Sequence, residues 1–510
     1  MKKYIYLFIS ILVFTACTDG FEEMNIDPNR PVTASSSSMM LAAQRSITRT
    51  LLDDNNIFTM LNWVQYNGSL GYRDQTYDFD WNTDQTYNNV ALTLNNFELL
   101  RKQAIEDNHE NYEAIAMIMK AWVFANFTEM NGDIPYSEAL KGTEGILYPK
   151  FDSQESIYRD IILKLKEANE KINVDQNGPK VDSGSDLYCQ GDMLKWKKFA
   201  NSLRARLYLR MSEVDETTAK EGLEEIFQNP DMYPVLMENA DNVGVKFIGE
   251  SSSSNTNVFV QQTNSGTLRS VSSTIVEMLC ENNDPRRTIL LNATQQSIDS
   301  VNAGKWSEYE YVGAPPAVKS PFNSFEIKKV STVGDDIALD YHRPVDVITY
   351  AEVLFIRAEA AAKGFNVEGN ASDFYYQGIE ASMKKWGVSD QSLIDQYLSE
   401  PFVIFDANTG VEQIINQRYI DQFHQALNTF AMIRRSGYPK LKFVSIGFAN
   451  ENGYPDRVPY AFNMRGNPNY RDVESQVVKN LWGKMWFAKE TTVNLEQVYQ
   501  DPIVYKFSDN

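Results

Sequence analysis

Gly191-Asp192-Met193-Leu194-Lys195-Trp196-Lys197-Lys198-Phe199-Ala200-Asn201-Ser202-Leu203-Arg204-Ala205-Arg206-Leu207-Tyr208-Leu209-Arg210-Met211 decides the fold class. Leu194, Trp196, Phe199, Leu203, Leu207 and Met211 recur at intervals of two to four residues. That spacing lines one face of a helix, whereas a half-buried strand alternates strictly. Lys195, Lys198 and Arg206 fall on other faces. Upstream, apolar residues keep the same period over Met39–Gln65, Tyr87–Ile105 and Tyr112–Met130. Ser153, with Glu155 and Ser156 behind it, caps a helix running to about Ile172. Downstream, helices are expected over Val347–Lys363, Asp373–Trp386 and Val411–Arg435.

The middle reads differently. Residues 240–345 are rich in Ser, Asn, Gly and Thr, with β-branched runs such as Val258-Phe259-Val260. They predict loops and short strands inserted between helical blocks, with one helix near Ser272–Cys280. From Lys442 onward Pro459, Gly466 and Pro468 argue against long helices. The expected fold class is mostly α. Ala114–Met130 leads into Tyr136–Ala139, and Tyr350–Lys363 into the helix at Asp373–Lys385. Alternating small and large residues that let paired helices nest are typical of tetratricopeptide-like repeats, although the strict consensus is absent.

At 510 residues and 43% hydrophobic content the chain can bury a large core, and length alone would permit two or three domains. It opens with Met1-Lys2-Lys3 and an apolar run from Ile5 to Phe14. That run is shorter than the roughly 20 residues a bilayer requires and reads as a secretory signal. Phe14-Thr15-Ala16-Cys17 reads as a bacterial lipobox, so residues 1–16 would be removed and Cys17 acylated. The alternative is an ordinary secretory signal that happens to carry a Cys. Residues 17–38 are polar and hold Asp27-Pro28-Asn29-Arg30-Pro31 and four serines in a row, a flexible tether. Residues 39–510 are expected to form a single domain. Asp19, Glu22 and Glu23 resemble the surface-export signal of Bacteroidota lipoproteins, which implies an outer-membrane anchor facing the cell exterior.

The balance of 68 acidic against 48 basic residues gives a net charge of −20, which argues against a nucleic-acid partner. Cys189 and Cys280 remain once Cys17 is acylated; they either pair or stay as two separate buried thiols, and the second reading is favoured. His109, His342 and His424 lie far apart, so no zinc site is indicated, and no cofactor is expected. No Gly-x-Ser-x-Gly elbow, His-Glu-x-x-His or phosphate-binding Gly loop is present, so no catalytic residue is assigned. The 68 acidic residues offer too many pairs for a surface glycosidase to be dismissed by inspection.

Four segments together resemble the SusD/RagB family of surface lipoproteins, especially its SusD-like subgroup. They are Asn131-Gly132-Asp133-Ile134-Pro135-Tyr136-Ser137-Glu138-Ala139; the segment from Gly191 to Arg204; Ile348-Thr349-Tyr350-Ala351-Glu352-Val353-Leu354-Phe355-Ile356-Arg357-Ala358-Glu359-Ala360; and Arg434-Arg435-Ser436-Gly437-Tyr438-Pro439. Asn25–Asn29 is similar as well. Phe430 stands where the family often has Trp, and Trp486-Phe487-Ala488 replaces a Trp-Trp-Asp pattern. The resemblance implies about four tetratricopeptide-like helix pairs forming a superhelical scaffold. It also implies a binding partner of a SusC-like TonB-dependent transporter that holds a ligand, usually an oligosaccharide and sometimes a peptide, and passes it inward without chemistry.

Most of these signature residues carry a structural reading. Gly132 is free to take positive φ, and Pro135 restricts Ile134 to extended backbone. The Arg434-Arg435 pair either clamps a carboxylate ligand or meets buried Glu352 or Glu359 at a helix end. Binding chemistry is instead expected where aromatics leave the helical register. Residues 66–90 interleave Tyr66, Tyr72, Tyr77, Phe79, Trp81 and Tyr87 with Arg73, Asp74, Asp78, Asp80, Asn82 and Asp84. A sugar presents C–H faces to an aromatic plane and hydroxyls at its edge, which makes Trp81, Tyr72, Tyr77, Arg73, Asp78 and Asn82 the first candidates. The competing reading is that half of these aromatics staple the loop to the core. Trp306-Ser307-Glu308-Tyr309-Glu310-Tyr311 is the second candidate, and Trp306, Tyr309 and Tyr311 occupy a position along the chain similar to a ligand-binding loop of the family. Asp78, Asp80 and Asp84 would allow a structural calcium ion, but their spacing does not match an EF-hand, and a solvated loop is the preferred reading.

Overall fold

The computed structural model describes residues 34–52, 60–68, 84–248, 270–316, 327–443, 454–477, 481–488, 493, 495–497 and 503–509. The protein is mostly α-helical. The first block comprises α1 (Ser36–Leu52), α2 (Asp84–Glu106), α3 (Glu110–Asn131), α4 (Gln154–Lys171), α5 (Met193–Met211) and α6 (Glu216–Gln228). Short helices α7 (Ser273–Glu281) and α8 (Gln295–Asn302) follow, then α9 (Tyr350–Ala362), α10 (Ala371–Trp386), α11 (Gln391–Leu398), α12 (Gly410–Asp421) and α13 (Ala426–Ser436). Helix α1 packs on α2, α3 on α4, α5 on α6 and α9 on α10, the four tetratricopeptide-like pairs. Further packing of α2 on α3, α4 on α5 and α5 on α9 joins the pairs into one stack.

Local chemistry explains the boundaries. Ser153 caps α4 by accepting from the Ser156 amide, Asp192 caps α5 from Lys195, and Thr349 caps α9 from Glu352. After α3, Gly132 at φ +82° turns the chain so that Ile134–Pro135 (β1) pairs antiparallel with Phe151–Asp152 (β2). Asp133 then accepts from the Gln154 amide at 2.8 Å, which sets the entry of α4.

Four expectations are corrected. The periodic stretch Val411–Arg435 is two helices, because the chain breaks at 422–425 with His424 at φ +74°. Val347 and Ile348 belong to a strand, and α9 starts only after the Thr349 cap. The stretch Met39–Gln65 ends its first helix at Leu52 and is helical again over 60–63. On α5, Trp196, Phe199, Leu203, Leu207 and Met211 are buried, but Leu194 is exposed and Arg206 is buried. Helix α5 is wrapped nearly all round, so its arginines meet carboxylates and not water.

Those contacts form buried ionic knots between helices. Glu352 on α9 receives Arg206 at 2.6 and 2.7 Å, Arg418 at 2.6 Å and the Asn428 amide, joining α5, α9, α12 and α13. Glu129 on α3 pairs with Arg210 of α5 and accepts the Tyr158 hydroxyl of α4 at 2.8 Å. Arg434 donates to the backbone oxygens of Phe430, Glu129 and Asp456 and lies 3.6 Å over the Phe430 ring. Phe430 thus fills an aromatic seat for a guanidinium. One apolar core runs from Met40 to Val493. Cys189 and Cys280 are both buried and unpaired, and burial pushes both thiols up, Cys280 to about 12. No described helix is long and apolar enough to cross a membrane.

The middle segment is built from two-stranded pairings. Val243–Val245 (β3) pairs with Val345–Ile348 (β7), and Leu291–Asn292 (β4) with Thr332–Val333 (β6). Tyr309–Val312 (β5) pairs with Val504–Phe507 (β10). Leu441–Phe443 (β8) pairs with Leu495–Gln497 (β9), the one parallel ladder among the described residues.

Candidate functional site

Tyr72, Arg73, Tyr77, Asp78, Trp81 and Asn82 lie outside the described residues, as do Cys17 and Val258-Phe259-Val260. The ends of their segment are described. Gln65 is fully buried at φ +58°. Its side chain donates to the Lys442 oxygen at 2.7 Å and accepts from the Lys442 amide at 2.9 Å and the Thr274 hydroxyl at 2.5 Å. The Tyr419 hydroxyl donates to the oxygens of Val64 and Gln65, and its ring stacks on Tyr66 at 4.5 Å.

Residues 270–272 then run between this segment and a third one. The Ser272 amide donates to Tyr66 oxygen at 3.0 Å and the Gly68 amide to Ser270 oxygen at 2.9 Å. On the far side the Ala314 amide donates to Val271 oxygen at 2.7 Å. A Cβ at Gly68 would fall 2.4 Å from that of Ala314, so only glycine allows this approach. Residues 65–68, 270–274, 312–314 and 442 therefore form one backbone hub. Residues 69–83, 249–269, 317–326 and 444–453 all depart from it or return to it.

The second candidate cluster is carried by the same hub. Thr294 caps α8, whose end turns through Gly304 at φ +67° into Trp306, where the amide donates to Ser300 oxygen at 3.3 Å. Trp306 is 37% exposed, a high value for an indole. Strand β5 follows, held on one edge by β10 and on the other by the Thr294 amide, which donates to Glu310 oxygen at 2.7 Å. Tyr309 is half-buried opposite Phe507, and Glu310 meets Lys506 at 3.3 Å.

Tyr311 is placed differently from the expectation. It is fully buried, with the Arg287 guanidinium 4.6 Å over its ring and Phe507 edge-on at 5.7 Å. Burial pushes its phenol up to about 12, against the pull of Arg287. Such a ring has no face open to a sugar, so Tyr311 is a packing residue. Tyr309 and Tyr311 share a face of β5, and Tyr311 is the deeper of the two because it lies at the end nearest the hub, beneath Arg287. Arg287, Phe507 and Tyr505 went unremarked in the sequence. Arg287 clamps Asp509 at 2.9 and 3.0 Å and lies 3.7 Å over Phe507, which fastens β10. The one signal for it was the β-prone run Val504-Tyr505-Lys506-Phe507.

The arrangement offers an exposed indole in the turn that leads into β5 and a half-buried tyrosine at the start of that strand, which is fixed along both edges. Among the described residues no group of His, Cys, Asp and Glu is placed to hold a metal ion. Asp78 and Asp80 of the acidic triad lie outside the described residues, and Asp84 opens α2.

A SusD-like family model described as starch-binding associating with outer membrane matches residues 28–461. A solved chitin-binding protein superposes with a TM-score of 0.74 at 27% identity, covering 89% of this chain and 100% of its own. A SusD homolog from Bacteroides uniformis gives 0.74 at 25% identity, with 89% and 99% covered. A chitin-binding SusD homolog from Flavobacterium johnsoniae gives 0.73 at 19% identity with the same coverage, a likeness of fold alone. No curated protein sequence matches the chain.

Proposed function

The chain belongs to the SusD-like family, and from that premise we propose that it captures oligosaccharides at the cell surface, without chemistry, and hands them to a SusC-like TonB-dependent transporter. The family is one of outer-membrane-associated glycan binders. The observation that carries the reading is the exposed Trp306 indole in the turn leading into β5, the strand joined to the hub that residues 69–83 follow in sequence. Trp306 and Tyr309 would supply stacking faces, and Trp81, Tyr72 and Tyr77 further ones. Arg73, Asp78 and Asn82 would bond the hydroxyls. Acylated Cys17 would hold the protein on the membrane, and the residues from 17 to the start of α1 at Ser36 would let it swing over the transporter.

Calorimetric titration of the mature protein with chitin and starch oligosaccharides, and in parallel with short peptides, tests the ligand. Saturable binding of a glycan supports the reading; binding of peptides alone transfers it to a peptide importer. Release of reducing ends from a bound glycan would instead mark a hydrolase. Co-purification of a TonB-dependent transporter with the lipidated protein from gently solubilised outer membranes tests the partner.

A further inference from the structure

Away from the Trp306 strand, helices α2, α3 and α4 and the turn after β1 enclose a cleft of about 470 Å3, a size that accommodates a small ligand. Met117, Ala121, Phe124 and Leu140 supply its apolar lining. The whole chain carries a net charge of −20, yet one wall of this cleft is basic. There Arg101, Lys102 and Lys120 of α2 and α3 stand beside two carboxylates, Glu98 and Glu113, with Lys171 reaching in from the end of α4.

Glu98 serves two cations at once. It accepts Arg101 through Nη2 at 2.8 Å and Nε at 3.0 Å, and Lys120 Nζ at 2.5 Å. Glu113 is taken by Lys171 at 3.1 Å. Lys102 and Lys141 form no ion pair among the described residues. Lys120 is the key group. Its side chain is 22% exposed, and its ammonium has three donors but a single carboxylate partner. The α4 side of the cleft is mixed, with Asp160 accepting the Tyr136 hydroxyl at 2.5 Å and Glu167 paired with Lys164 at 2.9 Å.

We propose that this cleft binds the carboxylate of an acidic sugar, a hexuronate, with Lys120 and Lys102 on the carboxylate. The sugar's C–H face lies on the apolar lining, and Asp160 and Glu167 accept its hydroxyls. A simple anion would use the basic wall alone, and a neutral sugar would leave Lys120 short of acceptors in a half-dry setting. The proposal does not rest on the capture reading.

The test is titration of the full mature protein with D-glucuronate, D-glucose and propionate at low salt. Saturable binding of D-glucuronate is expected, at least about tenfold tighter than either control, because hydrogen bonds between charged groups are stronger than neutral ones. Lys120→Met should weaken it by about tenfold or more, while Glu98 keeps its Arg101 partner. Lys102→Gln, an exposed change that leaves folding alone, should weaken it by a smaller factor, and Glu98→Gln, which frees Lys120, should strengthen it. No saturable binding, equal affinity for D-glucose, or an unchanged isotherm in both lysine variants overturns the proposal. Neutral chitin oligosaccharides titrated in parallel read the capture function separately, so either reading can fail alone.

Discussion

Arg435 and Glu359 meet as a closed fork, Nη1 to Oε1 at 2.6 Å and Nη2 to Oε2 at 2.8 Å, with both side chains about 1% exposed. The fork fastens α13 to α9, and Glu213 stands 3.6 Å from the same guanidinium. Taking two ions out of water is costly, so such a pair adds little over an apolar one but is dangerous to break. Arg435→Leu should cost about 3–5 kcal/mol by leaving Glu359 buried and unpaired. The double change Arg435→Met with Glu359→Leu should recover most of that loss. Urea denaturation midpoints decide it, and a double variant no better than the single would sink the argument.

Acid should unfold the helical stack through Glu352. Burial opposes its charge, but Arg206 and Arg418 hold its carboxyl down to about 2 against an ordinary 4.5, and Arg435 holds Glu359 below its ordinary value in the same way. A depressed carboxyl stabilises the fold fully above its ordinary value, and that contribution is lost as pH falls from 4.5 toward 2. The thermal midpoint should therefore fall steeply within that window. Glu352→Gln should start lower and change less. A midpoint flat between pH 5 and pH 3 contradicts the assignment.

Trp306→Ala should weaken oligosaccharide binding by at least ~1 kcal/mol, since a central aromatic anchor contributes about that much or more. The thermal midpoint should fall only modestly, because the indole is partly covered and packs in no buried core cluster. Unchanged affinity would move the site away from this strand. Quenching of tryptophan fluorescence by ligand gives an independent reading.

Gly132→Ala should destabilise by about 1–3 kcal/mol. The position holds φ +82° and ψ −128° at the end of α3, and a Cβ there would come within 3.3 Å of Arg457 Nη2. A variant as stable as the parent in guanidinium would show that the turn after α3 relaxes freely.

Cys17→Ser should leave the folded domain intact and release it from the membrane fraction. Persistence of the variant in washed membranes would mean that something other than an acyl chain holds it.

The helical scaffold was legible because its signals are local. The Trp196–Met211 stripe and the Ser153 cap each act within a turn or two, and both stand in the structure as read. The break at His424 was not legible, since residues 422–425 contain neither Gly nor Pro and the apolar period continues across them. Helix α6 was missed although Asp215 caps it by accepting from the Thr218 amide. Arg206 looked like a solvent-facing residue because its partner, Glu352, is 146 residues away. The site divides in the same way. Trp306 was legible as an aromatic outside the helical register, whereas the burial of Tyr311 depends on Arg287 and Phe507, which only the tertiary fold brings to it.

The hub around Gln65 binds its neighbours chiefly through main-chain atoms: the Lys442 amide and oxygen, the Gly68 and Ser270 peptides, and the Val271 and Ala314 peptides. Main-chain bonds are indifferent to the side chains beside them. The frame that carries β5 can therefore outlast replacement of the residues exposed on it, so a change of surface need not be a change of scaffold.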